Sequence, residues 1–157
     1  MAEYQRLRSL TEALRVPGNM IRVTRQDSPH VIARLEEPSY ATLSEGIGLH
    51  ALSALYMCQE TLGMSTLNRS RMFGQFRESS PSELLGPEDF IDAWLSSREG
   101  QAYATFIHGD SIIIVAEAKI MTGATPHSMK DKRVARIEAP NFWEAYRGLN
   151  MMLEDKI

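Results

Sequence analysis

The spacing of apolar and polar residues divides the first part of the chain into a helix and a hairpin. Residues 2–15 carry leucines at helical intervals, which predicts a short amphipathic helix. From residue 20 the pattern changes to alternation between apolar and polar side chains. Turn residues at 26–29 separate two such runs, so a β-hairpin is predicted over 20–36.

The middle of the chain has the pattern of helices. A Pro-Ser pair at 38–39 is suited to end a strand and to cap a helix, which we predict over about 40–62. From 46 to 58 this segment is apolar on nearly all sides, as in helices that are buried in a core or in a subunit interface. Further helices are predicted over about 66–77 and 87–97.

The last third of the chain gives the clearest strand signals. The predicted elements are strands over 102–107, 111–121 and 133–138, a polar loop over 122–132 and a last helix over about 142–155. Asn141 and Glu144 stand at the positions of a capping box for that helix. The sequence therefore predicts one α+β domain over 1–157, with helices packed on an antiparallel sheet of about five strands.

Two segments of the chain resemble each other. Residues 32–49 and 134–151 align without gaps at a constant offset of 102, with Ala, Arg, Glu, Pro and Gly recurring in both. One interpretation is the duplication of a ββα unit, which would give two pseudo-symmetric halves over 20–62 and 101–155 around a helical insertion at 66–98. The other is convergence, because a strand, a proline, a capping residue and a helix often follow one another.

Duplication would have a consequence for the position of a ligand site. Arg34 and Arg136 correspond in the two copies, so duplication would place them at equivalent positions of two strands. Ligand sites are often clefts between structural units. We therefore expect a cleft between the two halves as a ligand site, with both arginines as candidate ligand-binding residues.

Composition and charge narrow the class of protein. The chain has 157 residues, 43% hydrophobic and 24% charged, as in one globular domain. Its 17 basic and 20 acidic side chains give a net charge of -3, so we do not expect nucleic-acid binding. Cys58 is the single cysteine and lies in an apolar run, which indicates a buried thiol in a reducing compartment. With no signal-peptide pattern and no apolar run of ~20 residues, we expect a cytoplasmic protein without membrane association.

One strand carries residues that suggest metal-dependent chemistry. The run from Asp110 to Glu117-Ala-Lys119 resembles the acidic residue and E-x-K pattern of metal-dependent nucleases, whose carboxylates bind Mg²⁺. That resemblance implies Asp110 and Glu117 as metal ligands and Lys119 as a residue that positions water. In those enzymes the aspartate lies on the neighbouring strand, whereas Asp110 begins the strand of Glu117. A solvent-facing salt pair accounts for Glu117 and Lys119 equally well.

The loop predicted at 122–132 is the second candidate site. It contributes His127, Lys130 and Lys132, which together with Arg136 could form a small patch for an anion or an acidic partner. A surface loop without a function explains the same residues. The sequence contains no other pattern of metal ligands and no glycine-rich phosphate loop, so we predict no cofactor and no structural metal.

No catalytic constellation stands out, and the last helix carries more apolar surface than one core stripe needs. We therefore expect a non-enzymatic interaction protein that self-associates and binds a protein partner or a small anionic ligand, as an inhibitor, immunity or regulatory factor. The alternative is a small enzyme acting on a nucleotide or another phosphorylated substrate, with or without a metal ion. Its candidate catalytic residues are Glu117, Lys119 and His127.

Overall fold

The fold of this protein is an antiparallel sheet with helices. A computed structural model describes residues 7–25, 30–65, 67–68, 71, 89–97, 101–110, 113–122 and 130–157. In chain order the elements are α1 (Arg8–Leu14), β1 (Met20–Arg25), β2 (Val31–Glu36), β3 (Thr42–Gly48), α2 (Ala51–Glu60), α3 (Phe90–Ser97), β4 (Ala102–His108), β5 (Ile114–Thr122), β6 (Lys130–Ala139) and α4 (Phe142–Met152). This confirms the α+β class. None of the helices described here is long and apolar enough to cross a bilayer.

The six strands form one sheet in the order β3-β2-β1-β4-β5-β6. Every neighbouring pair is antiparallel. The central strands β1 and β4 join the first three strands to the last three. In each group the third strand lies at an edge and is followed by a helix that packs back on the sheet.

The helices pack on one face of the sheet because alternate strand residues there are apolar. Ile21 of β1, Leu35 of β2 and Phe106 of β4 are fully buried on that face. The centroid of the Phe106 ring lies 4.4 Å from that of Phe142 at the start of α4. Each such side chain contributes about 1.5–3 kcal/mol when it is removed from water. The opposite face, which bears Arg22, Arg34 and the residues that alternate with the core, is covered by none of the described helices and is called the open face below.

Most of the predicted elements are present. The helix over 2–15 is confirmed from Arg8 to Leu14, and the hairpin over 20–36 is confirmed as β1 and β2. The helix over 87–97 is confirmed from Phe90, and the three later strands and the last helix are confirmed with shifted ends. The backbone N–H of Glu144 donates to the side chain of Asn141 at 2.9 Å, as the capping pattern predicts. The predicted helix over 66–77 falls largely outside the described residues.

The prediction of a helix over 40–62 is wrong in nearly half of its length, from 40 to 50. Residues 42–48 form β3, which raises the number of strands from the predicted five to six. The helix α2 begins only at Ala51. The inward positions of β3 are Ser44, Gly46 and Gly48, so its alternation lacks the large apolar residues that reveal a half-buried strand. A Cβ at Gly46 would lie 2.0 Å from the carbonyl oxygen of Ala54 in α2. Glycine therefore allows the helix backbone to lie directly on the strand.

Two further expectations need correction. Ser39 caps no helix, because it lies in the β2–β3 turn, where its hydroxyl donates to the carboxylate of Glu37 at 2.8 Å. The predicted loop over 122–132 is too long, because Lys130 and Lys132 already belong to β6 and Thr122 to β5. Residues 123–129 lie outside the described residues.

The two similar segments adopt different structures after their corresponding prolines, Pro38 and Pro140. The offset of 102 pairs β2 with β6, but it pairs β3 with α4, so that Gly46 lies in a strand and Gly148 in a helix. In the strand order β2 is internal, whereas β6 is an edge strand. The helix predicted for the first copy at this point is therefore wrong. Duplication itself stays a prediction.

Candidate ligand-binding site

A row of polar side chains crosses the open face at right angles to the strands. The strand registers place one residue of each strand directly opposite the next along this row. From β3 to β6 the row is Glu45, Arg34, Arg22, Thr105, Glu117 and Arg136. Opposite charges alternate at both ends of the row, but two arginines are neighbours in its middle.

These two arginines differ in their partners. Arg34 donates from Nε to the carboxylate of Glu45 at 3.1 Å, so its charge is balanced. Arg22 has the ring of Tyr103 5.7 Å from its guanidinium carbon. The Nε of Arg22 is buried and has no hydrogen-bond partner among the residues described. Like charges directly opposite on neighbouring strands are destabilising, and so is a buried donor without an acceptor.

A cavity of about 360 Å³ opens beside this pair on the open face. The charged groups that line it are three arginines and two carboxylates, namely Arg22, Arg25, Arg34, Glu36 and Asp131. Its remaining walls include the ring of Tyr103 and the apolar side chains of Ile32 and Met121. We call this cavity the arginine pocket. With three arginines and two carboxylates its lining has a net charge of +1, in a protein whose net charge is -3.

Tyr103 stays protonated in this environment. Partial burial raises the pKa of its hydroxyl, and the hydrogen bond to the carboxylate of Asp131 raises that pKa further. The hydroxyl therefore acts as a donor to Asp131 at physiological pH. This hydrogen bond holds the ring as a wall of the pocket against Arg22.

The structure separates the two arginines that the sequence analysis put forward. Arg34 lines the arginine pocket, but Arg136 lies on β6, four strand spacings away, or about 19 Å. Arg136 forms an ion pair of 3.3 Å with Glu138. Lys130 and Lys132 lie exposed at the start of β6, and His127 lies outside the described residues. The two arginines therefore do not meet in one cleft.

The candidate metal ligands are also apart. The carboxylate of Glu117 lies 3.4 Å from Arg133 and 3.9 Å from Lys119, so two cations share it. Asp110 lies exposed in the β4–β5 connection, beyond the end of the strand pair in which Glu117 faces Thr105. Within the described ranges no group of three or more His, Cys, Asp or Glu residues could hold a metal ion.

Sequence reasoning missed most of the residues of the pocket. The alternation in β1 places Arg22 on the polar face. The predicted hairpin already implies that a residue of β1 lies opposite Arg34. Tyr103 and Asp131 could not be found in this way. They reach the pocket only because β1 pairs with β4 and β5 with β6, which no local pattern reveals.

A second polar cluster joins the starts of α2 and α3 to the middle of α4. Asp92 accepts the backbone N–H of Ala51 at 2.6 Å and lies 3.2 Å from Nδ1 of His50. Asp89 accepts the hydroxyl of Tyr146 at 2.8 Å and the backbone N–H of Asp92 at 3.2 Å. Burial raises the pKa of both carboxyl groups, and the proximity of Asp89 helps to bring that of Asp92 to about 7. Because these oxygens bind groups of α2, α3 and α4, the arrangement indicates a structural joint.

Comparison with known proteins gives no functional information on this arrangement. The chain matches no family model, no curated protein and no solved structure. The geometry of the arginine pocket is therefore the starting point for its function.

Proposed function

We propose that this protein is a non-enzymatic binding protein whose arginine pocket holds the anionic group of a small ligand. The observation that carries the proposal is the pair Arg22 and Arg34, directly opposite on the open face, with the Nε of Arg22 buried and unpartnered within the described structure. A carboxylate or phosphate oxygen at that place would offset the repulsion between the two guanidinium groups and accept the free N–H.

The rest of the pocket restricts the ligand. A volume of about 360 Å³ suits a small molecule, since ligand pockets usually measure about 300–1,000 Å³. The ring of Tyr103 and the side chains of Ile32 and Met121 offer an apolar wall for a planar or aliphatic body. Glu36 and Asp131 would repel a second negative charge. The expected ligand therefore carries one anionic head and an apolar body rather than a chain of phosphates.

Biological roles of the inhibitor, immunity or regulatory kind fit such a binding protein and remain proposals. Self-association is a separate proposal. The apolar segment that suggested a subunit interface is buried within this chain, because α2 packs against β2 and β3 and its residues from Ala51 to Tyr56 are at most 3% exposed. Light scattering at high micromolar concentration tests it, and a strictly monomeric protein would contradict it.

Calorimetric titration tests the binding proposal. Benzoate and phenyl phosphate serve as probes with an apolar body, and acetate and inorganic phosphate serve as probes without one. We expect benzoate or phenyl phosphate to bind the wild type more tightly than acetate or phosphate. Arg22→Met and Arg34→Met should each weaken binding about tenfold or more, the equivalent of 1.4 kcal/mol. Arg8→Met, at an exposed position of α1, is the matched control.

Two results would overturn the proposal. The first is binding of no probe, or equal binding by the Arg22→Met variant and the wild type. The second is turnover of a nucleotide or another phosphorylated substrate by the wild type, which would favour the enzymatic alternative. Loss of that turnover on Glu117→Gln or Lys119→Met would then assign the activity to those residues.

A further inference from the structure

The two edge strands of the sheet, β3 and β6, differ in how their outward backbone groups are hydrogen-bonded. At the β3 edge the backbone N–H of Glu45 donates to the hydroxyl of Thr61 at 3.2 Å, and that hydroxyl donates to the carbonyl of Glu45 at 3.0 Å. The backbone N–H of Ile47 donates to the sulfur of Met57 at 3.4 Å. Side chains at the C-terminal end of α2 and beyond it therefore satisfy edge groups that would otherwise be free to pair with another strand.

In the part of the chain that the structure describes, no comparable hydrogen bonds lie along the β6 edge. β6 is the last strand of the sheet and, with ten residues, the longest in the described structure. Between Val134 and Ala139, no hydrogen bond of the described residues gives its outer side a comparable partner. An unpaired strand edge is a template for an added strand.

A groove runs along the same edge, between β6 and α4. Its volume is about 650 Å³, and Ile137, Ala139, Gly148 and Met151 are among its lining residues. The side chain of Met151 is 62% exposed at this groove. Gly148 leaves room for the side chain of Ile137, since a Cβ there would lie 2.1 Å from its terminal methyl group. The groove therefore offers apolar surface next to the open strand edge.

The charge of β6 indicates what kind of strand would fit. The strand carries four basic and two acidic side chains: Lys130, Lys132, Arg133, Arg136, Asp131 and Glu138. This excess of positive charge contrasts with the net charge of the whole chain, -3. A second copy of β6 would bring like charges together, whereas an acidic segment would be attracted.

We propose that an extended, acidic segment of another protein adds to the sheet as a seventh strand along β6. Alternate apolar side chains of that segment would enter the groove at Ile137 and Met151. The acidic side chains between them would point to the open face, toward Arg133 and Arg136. Asp131 of β6 lines the arginine pocket, but the groove at Ile137 and Met151 shares no lining residue with that pocket. This surface therefore gives the protein a site for a macromolecular partner beside its small-molecule site.

Hydrogen exchange of the full-length chain tests this proposal with a synthetic probe. The probe is a ten-residue peptide in which glutamate alternates with valine or leucine, and the control peptide has lysine in place of each glutamate. We expect the acidic peptide to protect backbone amides between Val134 and Ala139. The lysine peptide should leave them unprotected. Arg136→Glu and Met151→Asp should each weaken binding of the acidic peptide about tenfold, and Arg8→Glu should leave it unchanged.

Four outcomes would overturn the proposal. They are no protection by the acidic peptide, equal protection by both peptides, protection of residues 42–48 instead of β6, and protection of β6 that rises with protein concentration in the absence of peptide. The last outcome would identify a second copy of this chain as the occupant. Because Arg22→Met leaves the β6 edge intact, peptide binding by that variant separates this proposal from the one on the arginine pocket.

Discussion

Arg22 and Arg34 face each other directly across β1 and β2, and among the described residues only Arg34 has an acidic partner. Arg34 binds Glu45, while the Nε of Arg22 lies buried against the ring of Tyr103 without an acceptor in the described structure. Two like charges at this spacing cost free energy unless something else is gained. A bound anion would supply that gain, so the arginine pair has consequences for stability as well as for binding.

Removing the charge of Arg22 should not destabilise the protein. We expect Arg22→Met to leave the free energy of unfolding unchanged or to raise it by up to about 1 kcal/mol, since the lost contact with Tyr103 is offset by the removal of repulsion. Urea denaturation measures this change, with Arg8→Met as the control. A loss of several kcal/mol would instead show that Arg22 is needed for the fold.

The ring of Tyr103 should matter more than its hydroxyl for the ligand. Tyr103→Phe loses the hydrogen bond to Asp131 but keeps the wall against Arg22, so binding of phenyl phosphate should change less than about threefold. Tyr103→Ala should weaken binding about tenfold. Calorimetric titration of both variants provides the comparison. Equal losses for the two variants would contradict the role assigned to the ring.

The stability of the protein should fall as the pH rises toward neutrality. Burial and the nearby Asp89 raise the pKa of Asp92 from 3.8 to about 7, so between these values the folded state binds more protons than the unfolded state. This contribution to stability is fully present below pH 3.8 and is lost as the pH rises to about 7. Burial also raises the pKa of Asp89 in the same cluster, so this carboxyl group adds to the slope in the same direction.

Asp92→Asn tests this contribution. The amide oxygen still accepts the backbone N–H of Ala51, and the variant has no carboxyl group to titrate at this place. We expect thermal unfolding to give a shallower fall in stability between pH 5 and pH 7.5, and a more stable protein at the upper end. Wild-type stability that does not fall in this range, or an unchanged slope in the variant, would contradict the assignment.

Two glycines that correspond in sequence should respond differently to substitution. A Cβ at Gly46 would lie 2.0 Å from a backbone oxygen of α2, which cannot move without shifting the helix. Gly46→Ala should therefore cost about 1–3 kcal/mol or more. A Cβ at Gly148 would meet the flexible end of Ile137, and alanine is the better helix former by about 1 kcal/mol. Gly148→Ala should consequently cost less, and urea denaturation of both variants compares them.

The sequence predicts those elements whose buried sides carry large apolar residues. Examples are α1 with its leucines and the hairpin of β1 and β2. A polar signal, the cap at Asn141, marks the start of α4. The sequence did not predict β3, because Ser44 and two glycines occupy its inward side. A close contact between backbones leaves no hydrophobic period in the sequence, so the position of α2 on β3 requires the three-dimensional structure.

The candidate site was predictable to a smaller extent. The internal similarity drew attention to Arg34, which lines the pocket, and equally to Arg136, which lies at the far edge of the sheet. The hairpin register makes Arg22 the neighbour of Arg34. Asp131 and Tyr103 join them only through long-range strand pairing. Alternation along a single strand specifies a face, but it does not specify which strands lie side by side.

Arginine side-chain NMR tests anion binding by Arg22 and Arg34 directly, because it observes the Nε–H groups themselves. The experiment is a titration of the wild-type protein, labelled at arginine, with benzoate and phenyl phosphate. We predict that at least one probe shifts the Nε–H signals of Arg22 and Arg34 with a common affinity, while those of Arg8 and Arg136 stay unchanged. Unchanged signals of Arg22 and Arg34 at saturating concentrations of both probes would contradict the account.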